Sequence, residues 1–422
     1  MSTAIMSTMD MVDKSKSVSR RGLFLGGAAI GLGTAAGFGT ERYIGFTEQR
    51  NAEQQTVAAY SVNGPRTVPF YGEHQAGIEI IPQTHQSLLA LNLNPGVGKT
   101  ELRRLLAILS DDAARLTQGT HALADSEPEL AQIPARLTIT FGFARRLVDI
   151  VRPQGGAPSW LQPLPSFGID RLRDEWNGGD LLLQIASDDP LSLAHAQRML
   201  LKDARSFGTI KWIQSGFRHS HGSETPNRTQ RNLFGQLDGT VNPTPGSADF
   251  RSLVWEGQGS NPSWLDGGTG MVVRRIEMQL DKWDHLDRPG REQSVGRTLK
   301  SGAPLTGFRE NDEPDFEARN ALGFPVIPEF AHIRRARSAD PNERFYRRVY
   351  NYDLTPESSG AVSNSGLIFS TFQHDIAKQY TPIQHRLDQL DLLNEWTTPI
   401  GSAVFAIPPG CQPGGFIGET LF

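Results

Sequence analysis

The chain has 422 residues, a net charge of -4, 38% hydrophobic and 21% charged residues. That length and composition fit a globular protein of two packed domains, and the charge gives no case for a nucleic-acid partner. The one cysteine, Cys411, excludes an internal disulfide, a four-thiolate zinc site and a cluster held by the cysteines of one chain.

In chain order, Lys14 and Lys16 precede Ser19-Arg20-Arg21-Gly22-Leu23-Phe24-Leu25 and an apolar run to about Gly39. The glycines of this run keep it too weakly hydrophobic for a stable membrane anchor. Paired arginines ahead of such a segment resemble a twin-arginine export signal, which places the mature start between about Ala35 and Ala58. From Pro69, short β-like runs alternate with helical ones. Gly77–Ile81, Leu88–Leu93, Leu137–Phe141, Asp180–Ile185 and Thr209–Ile213 read as strands. Leu102, Leu105, Leu106 and Leu109 lie at helical spacing within 100–116, and Asp189-Pro190 opens a second helix to about Leu201.

The later part repeats this grammar. Met271–Ile276, Phe345–Tyr352, Gly366–Phe372 and Ser402–Ile407 read as strands, with helices over Glu292–Leu299 and Ile376–Leu392. The repeat suggests an α+β fold of two ferredoxin-like domains, joined near the polar stretch 222–232. The division is 1–58 signal and tail, 59–228 N-terminal domain and 229–422 C-terminal domain.

The ten histidines show no zinc-binding spacing, and His219 and His221, separated by Ser220, are a weak metal signal. No nucleophile elbow, Walker loop or dinucleotide fingerprint is present. Cys411, in a turn rich in proline and glycine, is expected exposed or half-packed. Phe234-Gly235-Gln236-Leu237-Asp238-Gly239-Thr240-Val241-Asn242-Pro243 reads in isolation as a tight turn. Two later segments, Ala331-His332-Ile333-Arg334-Arg335 and Arg347-Arg348-Val349-Tyr350-Asn351-Tyr352, give it another context.

Together the three segments resemble the dye-decolourising peroxidases, whose Gly-x-x-Asp-Gly motif is Gly235–Gly239 here. The resemblance extends over Phe70–Ile78, taken as the family's opening strand, Val272–Met278, Ser301–Leu305, Gly366–Phe369, Leu393–Trp396 and Gly401–Phe405. It implies a duplicated α+β barrel with one haem b per chain, held between sheet and helices of the C-terminal half. By the same resemblance, His332 is the proximal iron ligand, Asp238 the distal acid and Arg347 the distal arginine. Arg348 is expected in solvent or in a salt bridge. Gly239, Thr240 and Val241 after the acid, and Arg337, Ser338 and Ala339 after the ligand, are expected along the haem edge. Leu367 and Phe369 alternate on one strand and so share a face that could form the dry distal wall. Arg275 and Arg334 are the candidates for a propionate.

The implied reaction reduces hydrogen peroxide to water and oxidises a dye, a phenol or another one-electron donor. Surface aromatic residues would pass the electrons, with Trp255, Trp264, Trp283, Tyr350 and Tyr352 as unranked candidates. The alternative is a haem carrier or deferrochelatase that releases iron from haem, with iron-transport partners. A homodimer and a periplasmic or extracellular location complete the expectation. A third reading, a structural ferredoxin-like dimer without cofactor, predicts a colourless protein.

Overall fold

The computed structural model describes residues 62–225, 228–255 and 261–422. The export-like N-terminal segment lies outside them, as does part of the expected join between the halves. The first half contains β1 (His85–Leu93), α1 (Lys99–Thr117), β2 (Thr138–Phe143), α2 (Arg145–Val151), β3 (Leu181–Ser187), α3 (Pro190–Ala204) and β4 (Gly208–Phe217). The second contains α4 (Ala248–Val254), β5 (Thr269–Met278), α5 (Leu280–Trp283), α6 (Arg288–Val295) and α7 (His332–Ala336). It continues through β6 (Tyr346–Arg347), β7 (Tyr350–Leu354), β8 (Asn364–Gln373), α8 (Ile376–Leu390) and β9 (Thr397–Ile407).

Local chemistry sets these elements. In α1 the predicted leucines are all buried, and Glu101 accepts a bond from the Gly98 amide at 3.1 Å, relieving a free donor at the helix start. Asp189 caps α3 through the Ser192 amide at 2.8 Å, with Pro190 at the first helical position.

Each half orders its strands in the same way: β2-β3-β1-β4 in the first and β9-β5-β8-β7 in the second. In both, the first strand of the unit sits centrally beside the third, the arrangement of a ferredoxin-like βαββαβ unit. β2 pairs with β9 through Phe143 and Ala406, and β4 pairs with β7 through Phe217 and Asn351. The additional β5–β8 pairing closes the strands into a ring. Closure matters because it leaves few strand edges unpaired. Alternate side chains from both halves, among them Leu88, Leu182, Trp212, Val273, Tyr350, Ile368 and Phe405, form one cluster inside the ring. The opposite face, with Leu89, Phe141, Val272 and Val404, packs beneath the helices.

Five expectations about elements need correction. Gly77–Ile81 is not a strand, and neither is the longer Phe70–Ile78 stretch. Gly77 has φ +94°, and side chains satisfy the nearby backbone: Gln184 donates to the Gly77 carbonyl at 3.1 Å and Thr140 to the Ala76 carbonyl at 2.6 Å. The helix expected over Glu292–Leu299 is α6, which starts earlier because Asp287 caps it, and stops at Gly296, whose φ of +86° ends the helix. Phe345–Tyr352 is two short strands, β6 and β7, lying end to end along β8 with a break at Arg348 and Val349. The last long helix stops at Leu390, and Leu392 lies in a short 3-10 turn.

A half-buried acid beside a buried one gives the first half a pH dependence. Asp203 of α3 is pushed up to about 7, by burial and then by the neighbouring Asp112 of α1. Unfolded, it returns to the ordinary value near 3.8, so between these values the folded chain holds a proton that the unfolded chain releases. Stability is therefore lost as pH rises through about 7. Asp203→Asn should raise the melting temperature at pH 8 by about 2–4 °C and leave it unchanged near pH 4, as thermal unfolding at the two pH values would show.

Candidate active site

The segment around Asp238 is a compact hairpin-like turn. Arg231 bridges Leu237, the Asn232 amide donates to the Gln236 carbonyl at 2.9 Å, and the Gly235 amide donates to the Asn232 carbonyl at 2.9 Å. Gly235 and Gly239 have φ of +79° and +122°, so the two glycines of the motif stand where a side chain would strain the backbone. The Asp238 amide is tied to the Gln230 carbonyl at 2.9 Å, and Asn232 Nδ2 donates to Asp238 Oδ2 at 3.4 Å. The acid is thus held at both its backbone and its side chain.

Arg347 reaches the same place from β6. Asn242 clamps its backbone twice: Asn242 Nδ2 donates to the Arg347 carbonyl at 2.7 Å, and the Arg347 amide donates to Asn242 Oδ1 at 3.0 Å. Its Nη1 stands 3.5 Å from Asp238 Oδ1. Arg347 is opposite Thr371 in β8, two positions from Phe369 and four from Leu367, so all four project from one face of the sheet. Leu367 is buried and Phe369 half-buried there.

His332 begins α7, which the Arg335 Nε to Arg386 carbonyl bond (3.2 Å) ties to α8. The Leu392 amide bonds the Phe330 carbonyl at 3.0 Å and brings Asp391 under the imidazole. His332 Nδ1 lies 2.6 Å from Asp391 Oδ2, and the acid side chain is only 3% exposed. The other Asp391 oxygen accepts the Leu393 amide at 3.0 Å. Burial pulls the imidazole down, but the charge and hydrogen bond of Asp391 outweigh it, and the group ends above its ordinary value. The Arg347 charge opposes this rise and the Asp238 charge adds to it.

The remaining candidates divide. Gly239 is half-buried, Thr240 gives its hydroxyl to Glu310 Oε1 at 2.9 Å, and Val241 is exposed. Arg337 pairs with Glu313, Ser338 donates to Glu343 Oε2 at 2.6 Å, and Ala339 is exposed. Thr240, Arg337 and Ser338 therefore have protein partners of their own. Arg334 donates to the Phe316 carbonyl at 2.6 Å.

Several expectations fail. Arg348 is neither solvated nor salt-bridged: it is wholly buried and donates to the Ile80 carbonyl and to Gln83 Oε1. Arg275 points into the ring, with its guanidinium 4.2 Å from the Trp176 ring and 3.8 Å from Tyr352, away from the Leu367–Phe369 face. Trp255, Trp264, Trp283, Tyr350 and Tyr352 are all buried, so none is a surface aromatic. Cys411 is neither exposed nor half-packed but buried, and burial pushes its thiol up to about 11. Sequence reasoning missed Asp391, 59 residues from His332, and Asn242, which stood unread inside the Asp238 segment.

The chain matches the Dyp-type peroxidase N-terminal domain over residues 75–218 and the C-terminal domain over 229–412. The dye-decolorizing peroxidase of Thermobifida fusca is 34% identical over 427 residues, 96% of this chain and 97% of that protein. This chain belongs to the DyP-type peroxidase family. A DyP-type peroxidase from Cellulomonas bogoriensis is 50% identical, with a TM-score of 0.83 covering 86% of this chain and 99% of that one. The Escherichia coli K12 protein named deferrochelatase is 33% identical over 373 residues, 84% of this chain and 86% of its own length.

With family membership come the peroxidase reaction and haem as its cofactor, and the DyP site residues fit haem. His332 has one ring nitrogen engaged by a buried carboxylate and, among the described residues, no partner on the other, the arrangement of a metal-ligating histidine held by an outer partner. No cluster of three or more His, Cys, Asp or Glu among the described residues could hold a metal unaided, which suits an iron that brings its own macrocycle. Asp391→Asn removes the charge beneath the ligand. It should cost about 10–100-fold in haem affinity or in peroxide rate, measured by haem transfer to an acceptor protein and by stopped-flow absorbance.

Proposed function

We propose that His332 is the axial ligand of the haem iron, Asp238 the acid-base group and Arg347 the electrostatic partner of a hydrogen-peroxide-reducing site. The observation that carries this is the buried Asp391 carboxylate on His332 Nδ1, together with the Asp238–Arg347 pair. Bound there, haem supplies the redox chemistry that reduces peroxide and draws electrons singly from a reductant.

The chain's own groups do the rest. Asp391 holds Nδ1 of His332 protonated, which leaves Nε2 as the donor atom. Asp238 takes a proton from peroxide and returns it to the departing oxygen as water forms. Arg347 keeps a fixed positive charge beside the developing oxygen charge, and Asn242 prevents its backbone from shifting. Leu367 and Phe369 give that side an apolar wall, which strengthens each of these charges by excluding water. Arg347→Leu should lower the peroxide rate by about 10²–10³-fold, read by stopped-flow absorbance; an unchanged rate would remove the arginine from the mechanism.

A second reading rests on the 33% identity to a protein named deferrochelatase: the same haem would be taken up to release its iron, beside iron-transport partners. Haem-loaded protein incubated with a reductant separates the readings. Iron-free porphyrin accumulating without peroxide supports iron release, and intact haem with rapid peroxide turnover supports the peroxidase.

The twin-arginine segment supports export to the periplasm or beyond. Cell fractionation should find the protein outside the cytoplasm, and Arg20→Lys with Arg21→Lys should keep it in the cytoplasm. The family resemblance also motivates a homodimer, which light scattering on the purified protein would report as twice the chain mass.

A further inference from the structure

A cavity of about 270 Å³ lies between residues 164–172 and strands β5 and β9. Its polar floor is Asp170, Arg274 and Ser402, and its apolar lining includes Leu164, Phe167 and Leu172. Arg274 is 1% exposed and forms an ion pair with Asp170. Ser402 Oγ is 3.4 Å from Arg274 Nη1, and the buried Arg274 Nε has no partner among the described residues. Phe167 lies beneath the guanidinium, 5.7 Å from ring centre to charge.

This floor differs from an anion site. The Asp170 carboxylate cancels the Arg274 charge, so a second carboxylate would meet repulsion and a cation would have to compete with a fixed guanidinium. What remains is a neutral ligand that both donates and accepts a hydrogen bond, with a flat apolar body to lie against Phe167. The volume is at the lower end for ligand pockets and suits a single substituted ring. The cavity also borders the peroxide site's sheet face. Arg274 is the cross-strand partner of Phe369. Aromatic rings continue inward from Phe369 through Phe345 at 6.3 Å to the buried Tyr380, 5.5 Å further on. The charges of Arg274 and Asp170 both act on Tyr380.

We infer that this cavity is a binding site for a small phenolic reductant of the peroxidase, its hydroxyl on the Asp170–Arg274–Ser402 floor and its ring against Phe167. The inference rests on the peroxidase reading. Each phenol gives up one electron and one proton to become a phenoxyl radical, so two phenols and one peroxide yield two radicals and two waters.

Calorimetric titration of the resting haem-loaded protein with guaiacol, without peroxide, tests the site. Wild type should show one saturable site. Leu172→Trp and Ser166→Trp, both at the exposed rim, should each weaken binding about tenfold or more. Their guaiacol KM should rise in parallel, while the absorbance change on adding peroxide alone keeps its wild-type rate. No saturable heat in wild type, or unchanged binding in both variants, would overturn the site. A wild-type protein whose spectrum ignores peroxide would instead count against the peroxidase reading, and the two failures are read separately.

Discussion

Asp238→Ala is expected to slow the reaction with hydrogen peroxide by about 10²–10⁴-fold while haem stays bound. The acid is part-buried, its backbone is pinned to Gln230, and its carboxylate lies between Asn232 and Arg347. Alanine removes the only group in this arrangement that can both take and return a proton, since Arg347 stays charged and Asn232 is an amide. His332 and Asp391 are untouched, so the Soret band of the resting protein should match wild type. Stopped-flow absorbance after mixing with peroxide checks both points, and a wild-type rate would sink the acid-base role. Asp238→Asn, closer in shape, should be impaired to a similar degree if the proton rather than the packing is what counts.

The second large effect is at the ligand. His332→Ala should lose or greatly weaken haem binding and also destabilise the haem-free chain by about 1–3 kcal/mol, because the Asp391 oxygen that met the imidazole is left buried without its partner. The double variant with Asp391→Ala should recover much of that stability and none of the haem binding. Denaturant unfolding of the haem-free forms, beside haem titration, separates the two. A single variant that binds haem with an unchanged spectrum would place the ligand elsewhere.

The strands and the site were legible to different degrees. Runs such as Leu88–Leu93 and Leu181–Ile185 are buried on both faces of a closed ring, so their near-continuous apolar character is visible in the chain itself. Gly77–Ile81 also carries three isoleucines, yet only Gly77 and Ile78 are buried, and side-chain bonds from Gln184 and Thr140 replace a ladder there. Local pattern cannot separate those two ways of being buried. The Asp238 turn was visible as a turn, and the positive φ at Gly235 and Gly239 explains its glycines.

Asp391 left no local signal, since its position under His332 depends on how α7 and α8 pack. Arg348 misled for a related reason. An arginine usually ends in solvent, but here the break between β6 and β7 turns it to a buried carbonyl and an amide oxygen. The buried tryptophans and tyrosines were equally unreadable, because sidedness within a closed ring is set by register rather than by residue type.

The most direct test is the visible spectrum of haem-supplied, purified protein before and after one equivalent of hydrogen peroxide. The account predicts a haem Soret band in wild type that shifts within seconds of adding peroxide. The same shift should be slowed in Asp238→Ala, and the band itself should be lost or displaced in His332→Ala. A wild-type band indifferent to peroxide, or one unaltered by loss of His332, would contradict it.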